Sequence, residues 1–171
     1  MSVSAENEGQ RVVSAGLKSI LVVETWRQDA TRIREELKHL HVINHCHWLE
    51  TVSEMIAYLK GMDQFGDREE YPVPAVIIID LNLRGVDGFE ALEWVRSHDD
   101  FRRIAVIVIG REEQMGALRA AVKLGADDWM VKPFDALEFD RIAAKLKLPI
   151  DFAPGEHGDT DSARSLRAIR E

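Results

Sequence analysis

The chain has 171 residues, enough for one domain of ordinary size, with 22 Lys plus Arg against 30 Asp plus Glu and a net charge of −8. That acidity removes any generic pull toward nucleic acid or anionic membrane, and 46% hydrophobic content excludes wholesale disorder. The single cysteine, Cys46, rules out an intramolecular disulfide framework and fits a reducing compartment. No apolar run approaches the roughly 18 residues of a membrane span. Residues 1–17 lack the charged start and long apolar stretch of a secretory signal, so a cytoplasmic location is expected.

The first regular element is the continuous apolar run Ile20-Leu21-Val22-Val23, the pattern of a strand buried on both faces. A helix follows, with Ala30, Ile33, Leu37 and Leu40 on one side. His41 to Leu49 reads as a second strand with polar interruptions. Thr51 and Glu54 form a capping box that opens a helix with Val52, Met55, Ile56 and Leu59 inward. Residues 61–74 are a loop punctuated by Gly and Pro. Ala75 to Ile79 is the most strand-like segment, and it ends at Asp80. Beyond the Gly85 and Gly88 turns, Phe89, Leu92 and Val95 mark a third helix. Ile104 to Ile109 is another buried strand, ending at Gly110. Met115, Leu118 and Val122 define a fourth helix closed by Gly125. Asp128 to Val131 is a brief strand, and Asp135 with Glu138 caps a last helix carrying Leu137, Ile142 and Leu146 inward.

Five strand-then-helix units predict an α/β fold, a doubly wound parallel sheet with helices on both faces. The composition divides the chain into a flexible N-terminal segment (1–17), one domain (18–148) and a C-terminal tail (149–171). The tail has a Pro/Gly/Asp linker and about two turns of helix around Leu166 and Ile169, too short for a core of its own.

Open α/β sheets bind their ligands at the carboxyl ends of the strands. There the sequence puts Glu24 and Thr25 after the first strand, Asp80 and Asn82 after the third, Gly110-Arg111 after the fourth and Lys132-Pro133 after the fifth. Two carboxylates and an ammonium on one edge suit a divalent cation, held by carboxylates and carbonyls, and a phosphoryl group. An Asp beside such a cation can act as a nucleophile toward phosphorus, and Lys132 would balance charge on the phosphoryl oxygens. Arg111 is a further candidate for the same oxygens, set against the ordinary reading of a solvated loop arginine.

The segments ILVVE, AVIIIDLNLRGVDGFEALEWVR and LGADDWMVKPFD resemble the receiver domain of two-component response regulators across residues 18–148. The long loop before the third strand and the lack of an output domain are similar to the small regulators that partner bacterial phytochromes. The resemblance implies a flavodoxin-like sheet of order 2-1-3-4-5, the order that the chemotaxis receiver exemplifies. It makes Asp80 the phospho-acceptor. It assigns Mg2+ to Glu24, Asp80 and the main-chain carbonyl of Asn82, and the phosphoryl group to Lys132 and the Gly110 main-chain N–H. Trp129 becomes the switch aromatic and the Lys132–Pro133 bond cis. The implied partners are a histidine kinase, such as a phytochrome-type sensor, and a downstream protein, with neither DNA nor membrane. Asp128 and Arg141 match charge positions of a dimer face, so a homodimer is an expectation.

Two positions depart from the family. Thr25 stands where the second acid of the metal pair belongs, which should weaken Mg2+ affinity. Gly110 stands where a hydroxyl residue bonds the phosphoryl group, a loss of about 1.5–3 kcal/mol. The alternative reading is therefore a pseudo-receiver that never uses Asp80 and acts as a constitutive protein-interaction module. An aspartate-nucleophile phosphatase would need an Asp at position 82, where Asn82 stands, so no enzyme activity is expected. His39, His41, His45, Cys46 and His47 crowd the second strand. They read as the polar face of an edge strand, with Cys46 packed, rather than as a metal site.

Overall fold

Residues 16–84 and 87–154 are described by a computed structural model. In chain order they form β1 (Ser19–Val23), α1 (Arg27–His39), β2 (Cys46–Leu49), α2 (Val52–Lys60), β3 (Pro74–Asp80), α3 (Gly88–Ser97), β4 (Ala105–Gly110), α4 (Met115–Lys123), β5 (Asp128–Val131) and α5 (Ala136–Lys145). Short 3-10 turns occupy Asp63–Phe65 and Glu112–Gln114. The five strands are parallel in the order β2-β1-β3-β4-β5. The segment 1–15, Gly85 and the helix around Leu166 and Ile169 lie outside the described residues.

Alternation along the buried strands builds two cores. Leu21, Val23, Ile77, Ile79, Val106 and Val108 face α2, α3 and α4, where Met55, Leu92 and Leu118 meet them. Ile20, Val22, Val76, Ile78, Ile107 and Ile109 face α1 and α5, packing on Ile33, Phe139 and Ile142. Thr51 and Glu54 form the expected capping box, and the Asp135 side chain accepts from Glu138 N–H at 2.8 Å. Gly125 takes the positive φ of +113° that ends α4.

Three sequence expectations need correction. The second strand is limited to Cys46–Leu49, because His41 turns the chain with φ +58° and residues 42–43 pair elsewhere. Ile43 N–H donates to Asp151 O at 2.9 Å and Ala153 N–H to His41 O at 2.7 Å, so the chain past Leu148 folds back on the domain. Two helices are rotated from the expected face. Leu137 is 74% and Val122 40% exposed, while Ala136, Phe139 and Ala143 of α5 and Ala121 of α4 are buried.

β3 meets α3 more closely than any side chain would allow. A Cβ on Gly88 would fall on Asp80 O and lie 2.7 Å from Leu81 Cα, both main-chain atoms. Gly88 N–H donates to Leu81 O at 3.2 Å, which fastens the helix start to the strand that ends in Asp80.

Candidate functional site

The strand order reverses between β1 and β3, so their carboxyl ends flank a crevice. Glu24 follows β1 and is fully buried; Asp80 is the last residue of β3 and is buried too. Lys132 follows β5 and reaches across. Its Nζ donates to Glu24 Oε2 at 2.8 Å, to Asp80 Oδ2 at 2.7 Å and to Asp29 Oδ2 at 2.7 Å. All three ammonium protons are thereby directed at carboxylates. The Lys132–Pro133 peptide bond is cis.

The electrostatics follow from burial and from that sharing. Burial pushes the Glu24 carboxyl up from 4.5 to about 7, against the lowering effect of bonds from Lys132 and from Trp26 N–H. The neighbouring Asp80 charge pushes the same way as burial. Burial alone would lower Lys132, but its bonds to Asp29, Asp80 and Glu24 outweigh that and hold it charged above the usual lysine range. With every group ionised, three carboxylates against one ammonium leave two negative charges uncompensated, the charge of one divalent cation.

Asn82, Thr25 and Gly110 adjoin this centre, whereas Asp128 starts β5 at the opposite end of the sheet. Asn82 N–H donates to Asp80 Oδ1 at 2.9 Å. Thr25 Oγ1 accepts from Arg84 N–H at 2.9 Å, and the Arg84 guanidinium lies 5.1 Å from the Trp26 ring centre. The residue in the second-acid position thus ties down the loop after β3. Gly110 ends β4, and its carbonyl accepts from Lys132 N–H at 2.7 Å. The Arg111 side chain is exposed. Trp129 is half-buried on the face that α4 covers. Asp128 bonds Lys145 at 2.9 Å, and Arg141 lies beside Glu138 at 3.6 Å.

Asp29 escaped the sequence reading because a carboxylate in the first turn of a helix looks like ordinary dipole compensation. The available signal was its spacing of five residues from Glu24, enough for α1 to bring it back over the end of β1. The histidines do not converge either. His45 is exposed, whereas His47 packs 5.4 Å from the Tyr58 ring and 5.1 Å from Tyr71, more enclosed than a solvent face implies. Burial pushes the Cys46 thiol up to about 11, which suits a packed rather than a reactive cysteine.

Among the described residues, no group of three or more His, Cys, Asp or Glu side chains is arranged to hold a metal ion. At the strand ends the Lys132 ammonium already sits between the carboxylates. The donors themselves, carboxylate and carbonyl oxygens, suit a hard divalent cation such as Mg2+, provided Lys132 yields Glu24 to it. Among the described residues, no helix is long and apolar enough to cross a membrane.

A family model described as the response regulator receiver domain matches residues 20–144. The response regulator Rcp1 of Synechocystis sp. is 30% identical over 115 residues, which are 67% of this chain and 76% of that protein. The structure of the bacteriophytochrome response regulator AtBRR superposes with a TM-score of 0.69 at 26% identity, covering 82% of this chain and 99% of that one. The Mn(2+)-bound form of Rcp1 gives a TM-score of 0.62 at 25% identity, covering 81% and 99%.

Proposed function

The chain belongs to the response regulator receiver domain family, a class of signalling modules, and from that membership we propose that it accepts a phosphoryl group on Asp80 from a histidine kinase. The observation that carries the reading is the Lys132 ammonium held on Asp80, Glu24 and Asp29 at 2.7–2.8 Å. A carboxylate oxygen of Asp80 attacks phosphorus, the P–N bond of the donor phosphohistidine breaks, and the imidazole leaves with the bonding pair and takes up a proton. Lys132 moves its hydrogen bonds from the carboxylates to the phosphoryl oxygens, where it offsets the charge that Asp80 cannot. Glu24, Asp80 and the Asn82 carbonyl would hold Mg2+, which neutralises phosphoryl charge when bound. The Thr25 hydroxyl is a neutral donor occupied by the Arg84 amide, so Mg2+ is held less tightly than by a pair of acids. The likeness to the bacteriophytochrome response regulator AtBRR favours a phytochrome-type sensor kinase as donor, and the signal passes by contact with a downstream protein.

Intact-mass analysis after incubation with acetyl phosphate and Mg2+, beside Asp80→Asn, tests the reading. A single phosphoryl adduct is expected in the wild type and none in the variant. The pseudo-receiver reading draws support from one observation, the Lys132 ammonium lying on the very Glu24 and Asp80 oxygens that a cation would use. No adduct, together with no tryptophan fluorescence response to Mg2+, would install it instead.

A further inference from the structure

The glycine at position 110 leaves a space that other side chains take up. A Cβ placed on Gly110 would lie 3.0 Å from Gln114 Oε1 and 3.2 Å from Leu118 Cδ2, tighter than ordinary contact. The space a side chain at position 110 would need is filled by the Gln114 amide group and the end of the Leu118 side chain. Gln114 Oε1 accepts from Arg111 N–H at 2.9 Å, and Gln114 N–H donates to Arg111 O at 2.9 Å. The two residues close the Glu112–Gln114 turn upon themselves.

Register puts this turn beside the acceptor. Ile109 pairs with Asp80, and Leu81 N–H donates to Ile109 O at 3.0 Å. Gly110 is within β4 and pairs with Val131 of β5, so the first main-chain N–H beyond that strand is carried by Arg111, in place of the Gly110 N–H that the resemblance implied. Main-chain N–H groups at strand ends are ready donors to an anion, and here that donor is held by a neutral amide oxygen.

We propose that Gln114 is a displaceable plug: its side-chain carbonyl holds the Arg111 N–H that a phosphoryl oxygen on Asp80 takes in its place, and its release carries the phosphorylation signal into the start of α4. The inference rests on the reading of Asp80 as the acceptor. A phosphoryl oxygen bears charge and the Gln114 oxygen does not, and charge-assisted hydrogen bonds are roughly twice as strong as neutral ones, so the exchange runs toward the phosphoryl group. Met115 follows Gln114 directly as the first residue of α4, so ejecting the side chain loosens the first turn of that helix. The glycine at 110 leaves room for the plug, and the usual hydroxyl would occupy its seat.

The test uses the full chain with acetyl phosphate and Mg2+, following adduct formation by mass in the wild type, Gln114→Ala and Asp80→Asn. Nuclear magnetic resonance of the Arg111 amide and the Gln114 side-chain NH2 runs in parallel with beryllofluoride as the phosphoryl mimic. Gln114→Ala is expected to label about 3- to 10-fold faster, the factor one neutral hydrogen bond represents. In the wild type both resonances should shift together on adding beryllofluoride, and in Asp80→Asn neither should. Equal labelling of wild type and Gln114→Ala, or a Gln114 resonance that stays put while Asp80 is occupied, overturns the plug and leaves the acceptor reading intact. Labelling of Gln114→Ala alone supports it. Absence of adduct and of beryllofluoride response in both proteins overturns the plug together with the acceptor reading.

Discussion

Glu24→Gln is expected to stabilise the metal-free protein at pH 8 while leaving it unimproved at pH 5. Glu24 is fully buried, bonded by Trp26 N–H at 2.9 Å and Lys132 at 2.8 Å, yet burial still lifts its carboxyl from 4.5 to about 7. A carboxyl raised on folding binds its proton more tightly in the folded state. Its contribution to stability is therefore complete below about pH 4.5 and is lost as pH climbs through about 7. At ~1.4 kcal/mol per pH unit, that displacement amounts to ~3 kcal/mol. Gln keeps an acceptor for Trp26 N–H and never ionises. It gives up one bond to Lys132, a loss of ~1 kcal/mol, while Lys132 keeps Asp80 and Asp29. The variant should thus be nearly as stable as wild type at pH 5, where ionisation already costs the wild type ~1 kcal/mol, and ~2 kcal/mol more stable at pH 8. Urea unfolding in the presence of a chelator at both pH values measures this, with similar slopes confirming a common unfolding transition. A wild-type-to-variant difference that is the same at both pH values would refute the argument. Adding Mg2+ at pH 8 should narrow the difference, because the wild type offers the cation one carboxylate more and gains more binding energy.

Two further substitutions probe the surroundings of the site. Gly88→Ala forces a Cβ onto the main chain of Asp80 and Leu81, where nothing can swing aside; urea unfolding should show a loss of about 1–3 kcal/mol, and no loss would mean α3 is not seated as described. Asp29→Asn removes a charge from the Lys132 cluster at a position about one-third exposed. Stability should fall by less than ~1 kcal/mol, while the Glu24 titration, followed by NMR, moves to lower pH; an unmoved titration would show that Asp29 does not share in the cluster.

The strands that build the site were legible because β1 and β3 are buried on both faces, and few other structures require Ile20–Val23 or Ala75–Ile79 to be uniformly apolar. The polar residues at their ends were legible for the same reason, since Glu24 and Asp80 break those runs abruptly. The amphipathic helices were harder. In α5 the large Leu137 outranks Ala136 on any hydrophobicity scale, but the sheet lies close enough that Ala136 and Ala143 pack beside Phe139 and Leu137 is left outside. The second strand was overextended because the partner of residues 41–44 lies beyond Leu148, a pairing no local pattern announces. Asp29 was invisible for a related reason: it joins the site only through an atom that a distant element supplies, Lys132 Nζ.

The pairing of residues 151–153 with residues 41–44 has a kinetic side. Closing a loop of that span from an unfolded chain would cost roughly 4 kcal/mol of entropy, about all that the hydrogen bonds there return. The sheet and the packing of α1 against α5 meet that cost first, so by the time Ile43 N–H finds Asp151 O the remaining search is short. Asn44 is buried and bonds Lys18 O at 2.8 Å, Pro149 O at 3.3 Å and Asp151 N–H at 2.6 Å, which makes it the buckle of a belt fastened after the garment is on. Such a belt forms last and opens first. In native-state hydrogen exchange, the amides of Ile43 and Ala153 should open well before those of β1 and β3, and cutting the chain at Leu148 would leave Asn44 without two of its partners and the folding rate nearly unchanged.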